Sequence, residues 1–280
     1  MNTLGIISLL LIAGNIIFSY KGFTNPVFFD AYSFQVEKVL VYKEYKRLVS
    51  SGFLHTSWLH LLFNMFSLYA FSGSLEAYLG GFPFLFIYMA GLIGGNLFAL
   101  YVNRHHGDYS AVGASGAVCG IIFSSIALFP GMSVGLFGLP LSIPSWLYGL
   151  VFIVFTIYGI RSGTGNIGHE AHLGGALAGM AIAILMEPSS LLDNYLPILA
   201  ITIPSIIFIY FLVAHPGSLA LPHRDRKRQA KILSIDQRYN VSKKEKQKEI
   251  DTILEKIHQK GADSLTQTER DKLEAYSRSK

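Results

Sequence analysis

Charge and cysteine are scarce in this 280-residue chain. Only 15% of its residues are charged, against about 25% in an ordinary soluble domain, so a soluble globular protein is excluded. The single cysteine, Cys119, excludes an intrachain disulfide framework and a Cys-rich zinc site. Disorder is excluded as well, because 20 Phe and 15 Tyr demand burial. What is abundant is apolar surface: 51% of residues are hydrophobic and the mean hydropathy is +0.41. The few charges are unevenly placed. Residues 1–214 hold 7 Lys/Arg and 8 Asp/Glu, whereas residues 215–280 hold 16 and 10, so the net +5 is a nearly neutral body carrying a basic tail.

A hydrocarbon core of about 30 Å needs roughly 20 apolar helical residues. Seven runs meet or approach that length: Leu4–Tyr20, Trp58–Gly73, Phe82–Val102, Ala111–Phe129, Trp146–Ile160, His169–Met186 and Tyr195–Ala214. The second and fifth are short. No Lys or Arg precedes the first and no A-x-A-like site follows it, so it is expected to be a true span and not a signal peptide. The loop 21–57 is long and places Phe23, Val27, Phe28, Phe29 and Phe34 among five basic residues, a composition expected to fold onto the membrane surface. From Arg224 the chain is basic. Ile250, Ile253, Leu254 and Ile257 form a narrow helical stripe, Gly261 is a helix stop, and Thr266-x-x-Glu269 reads as a capping box. The tail is thus either a small helical hairpin or a solvated charged extension.

Polar side chains inside a membrane are expensive and each needs a reason. They gather in three spans. The second carries His60 and Asn64, four apart and so on one helical face; His55, just before it, is left between a structural and a functional role. The fourth opens Gly113-Ala114-Ser115-Gly116, and the sixth opens His169-Glu170-Ala171-His172, followed by Gly175 and Gly179 as a small-xxx-small seam. Spans two, four and six run in the same direction, so His60, Ser115 and His172 fall on one side of the membrane, at an expected depth of roughly 5–8 Å below the start of each helix. A serine paired with a histidine is the minimum for acyl transfer, with the imidazole as base and then acid. His60, Asn64 and the backbone N–H of Ser115 are candidate oxyanion donors. Glu170 lies only two residues from His172 and so on another face, which leaves a dyad without a third carboxylate. His169 and His172 invite a metal reading, but H-E-A-H is one residue short of the zincin H-E-x-x-H.

In this combination the chain resembles the rhomboid intramembrane serine proteases. The matching residues are Arg47, Phe53-Leu54-His55 through His60-x-x-x-Asn64, Glu76, Gly113-x-Ser115-Gly116, and Ala171-His172 with Gly175-x-x-x-Gly179. The resemblance implies an all-α polytopic membrane protein with a six-helix catalytic core over residues 1–187, to which this chain adds a span at 195–214 and a basic soluble tail at 215–280. It implies a Ser115/His172 dyad, oxyanion stabilisation by His60 and Asn64, and structural roles for Arg47 and Glu76. Gly113, Gly116, Gly175 and Gly179 join these as structural support. The implied reaction is cleavage of transmembrane helices of membrane-protein substrates through an acyl-enzyme, with no metal and no cofactor. Two positions depart from the family pattern. Cys119 stands where an aromatic commonly packs against the catalytic histidine, so His172 is expected to be less firmly held. Lys46 replaces the tryptophan that commonly precedes the loop arginine, so the loop is expected to seat differently.

Two other functions compete. A rhomboid-like protein that binds membrane clients without cutting them would usually lack the serine or the histidine, and this chain keeps both. A transporter usually needs charged groups or broken helices at mid-depth, whereas Glu76 and Glu170 lie at span ends. The expected partners are therefore transmembrane substrates and the lipid bilayer, with no nucleic acid, in the plasma or inner membrane if the protein is bacterial. Orientation stays open. Lys21, Lys38, Lys43, Lys46, Arg47, Arg104 and Arg161 all fall on the long-loop side, which the positive-inside rule places in the cytoplasm, while the resemblance implies a site opening outward.

Overall fold

A computed structural model describes residues 5–129, 131–135, 142–162 and 167–214, and in the tail residues 250, 252–257, 265–269 and 273. Contacts divide the chain into two compact units, Met1–Arg224 and Asp225–Lys280.

The first unit is a helical bundle. Helix α1 (Ile6–Thr24) is followed by a folded loop made of α2 (Pro26–Tyr32), β1 (Phe34–Gln35), α3 (Val36–Leu40), α4 (Arg47–Ser50) and a 3-10 turn at Ser51–Phe53. Then come α5 (Trp58–Leu79), α6 (Gly81–Val102), β2 (Ser110–Ala111), α7 (Ser115–Leu128), β3 (Ser133–Gly135), β4 (Ser142–Pro144), α8 (Ser145–Ser162), α9 (His169–Met186), α10 (Ser190–Asp193) and α11 (Tyr195–Ala214). By length and composition α1, α6, α8, α9 and α11 can each cross a membrane. Helix α5 has 22 residues but carries His60, Asn64 and Glu76, and α7 is apolar but only 14 residues long. The chain is an all-α, multi-pass integral membrane protein.

Three boundaries differ from expectation. Helix α1 runs on to Thr24, so the loop begins later. Helix α5 extends to Leu79 and stops at Gly80, whose φ of 87° suits glycine, so this helix is longer than its apolar run. Helix α7 begins only at Ser115, because Gly113 at φ 135° takes the preceding backbone out of helical geometry. Ser115 is therefore the first residue of its helix and not several residues inside it.

The central helix is α7: every residue from Gly116 to Leu128 is buried, the burial expected of a helix apolar on all faces. Helices α6 and α9 pack against it backbone to backbone. A Cβ on Gly175 would collide with the Gly116 carbonyl oxygen, and one on Gly179 with Gly120 Cα. At its far end α7 would leave carbonyls unpaired. The Asn194 side chain, just before α11, donates to Ile126 O at 2.6 Å and Ala127 O at 3.1 Å, which ties the start of α11 to the end of α7. The 14 residues of α7 span about 21 Å, less than the hydrocarbon thickness.

The loop between α1 and α5 is bonded to the segment that leads into Ser115. Strands β1 and β2 pair antiparallel, Phe34 opposite Ala111 and Gln35 opposite Ser110, and Gly113 N–H donates to Ser51 O at 3.0 Å. Arg47 holds the loop together from inside: its guanidinium, 3% exposed, donates through Nη1 to Asp30 O at 2.6 Å and Ser33 O at 2.7 Å, and through Nε to Glu44 at 2.7 Å. That hydrogen bond holds the Glu44 carboxyl below the usual carboxylate range. Lys46 Nζ lies 5.4 Å from the centre of the Tyr32 ring.

In the second unit Lys256 Nζ donates to both carboxylate oxygens of Glu269 at 2.9 and 2.8 Å. The Thr266 N–H and Oγ1 donate to that carboxylate, and Glu269 N–H donates back to Thr266 Oγ1 at 3.3 Å, the reciprocal pattern of a capping box. Ile250 and Ile253 are buried while Leu254 is exposed, so the apolar stripe is narrower than its spacing suggests. Gly261 lies outside the described residues.

Candidate active site

Ser115 and His172 meet because two helix starts are brought level. The glycine seam sets α9 against α7, so the fourth residue of α9 stands opposite the first of α7. Gly95 of α6 backs the same point, since a Cβ there would lie 2.5 Å from Ala171 O. The resulting distance from His172 Nε2 to Ser115 Oγ is 2.8 Å, within normal hydrogen-bond range.

Both side chains line a cavity of about 410 Å³, together with His60, Asn64, Cys119 and Phe152. His60 is held from two sides. Its Nδ1 lies 3.2 Å from Thr56 Oγ1, and its ring rests against Gly113, where a Cβ would approach Nε2 to 3.0 Å and Cε1 to 2.9 Å. Any side chain at position 113 would therefore crowd the His60 ring. Asn64 donates one amide hydrogen to His60 O at 3.1 Å. Its Nδ2 carries a second. At the start of α7 the N–H groups of Ser115, Gly116 and Ala117 precede the first helical bond, Val118 N–H to Ala114 O at 2.9 Å, so they point out of the helix end with the positive pole of its dipole.

His55 is fully buried, and its surroundings make it a brace. Ser19 of α1 donates to Phe53 O at 3.0 Å, which leaves its oxygen to accept from His55 Nδ1 at 2.8 Å. Nε2 then carries a lone pair facing Ala114 N–H at 3.5 Å. The neutral imidazole thus links α1 to the residue preceding Ser115. Ser19 does not stand out as a site residue in the sequence, although Ser8, Asn15 and Ser19, all buried in α1, fall at spacings of seven and four on one helical face.

Glu170 faces away from the dyad. It accepts from Tyr109 OH at 3.5 Å, and burial, with Glu170 beside it, pushes the Tyr109 hydroxyl well above its ordinary range. Glu76 is remote from the cavity and accepts from the first turn of α1. The imidazole of His172 has ring neighbours on two sides, Phe152 at 6.0 Å and His169 at 6.1 Å between centroids. Phe152, from α8, carries no signal in the sequence.

Set beside known proteins, the chain matches the Rhomboid domain model over residues 42–189, just over half its length. It belongs to the rhomboid family. Residues 233–279 match a second model, described as a family of unknown function, DUF6576. Among curated relatives, Rhomboid protein 1, mitochondrial, of Saccharomyces cerevisiae is 29% identical over 178 residues, covering 59% of this chain and 51% of that protein. RHOMBOID-like protein 12, mitochondrial, of Arabidopsis thaliana is 34% identical over 148 residues, 46% of this chain and 43% of its own length. The Putative rhomboid protease YdcA of Bacillus subtilis is 38% identical over 94 residues, 33% and 46% respectively. The chain thus spans about half the length of the curated relatives it matches.

Proposed function

We propose that this protein is an intramembrane serine endopeptidase that cleaves transmembrane helices of membrane-protein substrates through a Ser115/His172 dyad. The observation that carries the reading is the 2.8 Å contact between His172 Nε2 and Ser115 Oγ at the wall of a cavity. His172 takes the Ser115 hydroxyl proton as Oγ attacks the scissile carbonyl. It then gives that proton to the leaving amine, and Ser115 is left as an ester. A water molecule, deprotonated by His172, hydrolyses the ester and restores the hydroxyl.

For the developing oxyanion this reading assigns three donors. In the tautomer whose Nδ1 accepts from the Thr56 hydroxyl, His60 carries its proton on Nε2 and offers it to the oxyanion; the second Asn64 amide hydrogen and the Ser115 N–H complete the set. Losing one such donor typically costs about 10²–10³ in rate. Neither metal nor cofactor enters any step. The test is cleavage of a single-span substrate in liposomes by wild type, Ser115→Ala and His172→Ala. Cutting by wild type alone is expected; no cutting by any folded preparation would favour client binding without proteolysis.

A further inference from the structure

The position one turn after Ser115 on α7 is Cys119, which lines the cavity but offers no ring to the imidazole. Phe152, reaching in from α8, lies 6.0 Å from His172 at an interplanar angle of 37°. Phe152 is itself fixed by two further rings, Phe123 of α7 at 5.6 Å and Tyr148 of α8 at 6.2 Å. The helix beneath it is also fixed. Gly149 of α8 lets Ile126 of α7 and Ile201 of α11 approach so closely that a Cβ would meet each at 3.0 Å. Helix α11 thereby backs the helix that carries the ring. His172 and Phe152 both line the cavity, so the ring stands where it limits rotation of the imidazole about its side-chain torsions.

We propose that Phe152 is the positioning residue for His172, holding the imidazole in line with Ser115 from α8 in place of a ring on α7. The proposal rests on the protease reading above. It makes α11 part of the catalytic support, through Ile201 and Gly149.

The full-length protein in liposomes tests it, with Phe152→Leu, which keeps apolar volume without the ring, and Phe152→Tyr, which keeps the ring. Steady-state cleavage of a single-span substrate, the rate of Ser115 modification by a fluorophosphonate and thermal unfolding are measured on each. Phe152→Leu is expected to lose about three- to tenfold in kcat and in modification rate, the scale of one aromatic contact, with KM and unfolding temperature near wild type; Phe152→Tyr is expected to keep the wild-type rate. Full rate in the Leu variant, a loss confined to KM, or equal losses in both variants would overturn the proposal. Wild type that neither cleaves nor reacts would overturn the protease reading itself, a result distinct from any difference among Phe152 variants.

Discussion

Glu76 caps Ser8: one carboxylate oxygen at the end of α5 accepts from both the backbone N–H and the hydroxyl of Ser8, while the other accepts from Ile7 N–H at 2.9 Å. A free helix start is thereby closed by a side chain 68 residues away, with the charge at the favourable pole of the dipole. Glu76→Ala is expected to destabilise the protein by about 1–2 kcal/mol, the scale of a lost helix cap. Thermal unfolding in detergent checks this, and Ser115 in the surviving folded fraction should react at the wild-type rate because Glu76 is remote from the cavity.

Gly175→Ala is a stronger perturbation of a different kind. The added methyl would meet the Gly116 carbonyl, so α9 must move away from α7. Overpacking of this sort typically costs about 1–3 kcal/mol, and the same movement separates His172 from Ser115. Unfolding temperature and cleavage should fall together, whereas Ser115→Ala should abolish cleavage and leave the unfolding temperature unchanged.

The buried His55 gives the fold a pH dependence. Burial, and secondarily His60, hold its imidazole down to about 3. An unfolded histidine takes up its proton near pH 6.5 while the folded one does not. Stability is thus fully present above about pH 6.5 and is lost progressively as pH falls toward the folded value. Thermal unfolding at about pH 7.5 and about pH 5 should show a larger drop in wild type than in His55→Leu, although the variant starts lower at neutral pH because Ser19 and Ala114 lose their partner.

In the tail, the Lys256 ammonium first, and then Thr266, hold the Glu269 carboxyl down to about 2. This support is present above the ordinary carboxylate range and disappears as pH falls through that low value. Glu269→Gln in the full chain should speed hydrogen exchange at the Thr266 and Glu269 amides at neutral pH, with no change in Ser115 reactivity. Unchanged exchange would remove the capping box from the account.

Polarity in unexpected places makes the site legible in the sequence. Ser115, His172, His60 and Asn64 stand out because a membrane tolerates such residues only with a reason, and the parity of the spans puts them on one side. The capping box is equally plain, because its chemistry is local. Other features are set by contacts between helices. The late start of α7 depends on the backbone Gly113 adopts, the role of His55 on a serine 36 residues earlier, and the ring beside His172 on a phenylalanine with no pattern of its own among the aromatic residues of α8. Asn194 is polar but sits between helices, so nothing in its neighbourhood announces that it closes α7.

The most direct measurement of the central claim is the site of covalent modification after the wild-type protein, in liposomes, is treated with a fluorophosphonate and mapped by mass spectrometry. The account predicts one adduct, on Ser115, that disappears in His172→Ala while that variant remains folded. An adduct that forms as fast without His172, or a folded wild-type protein that acquires none on Ser115, would contradict it.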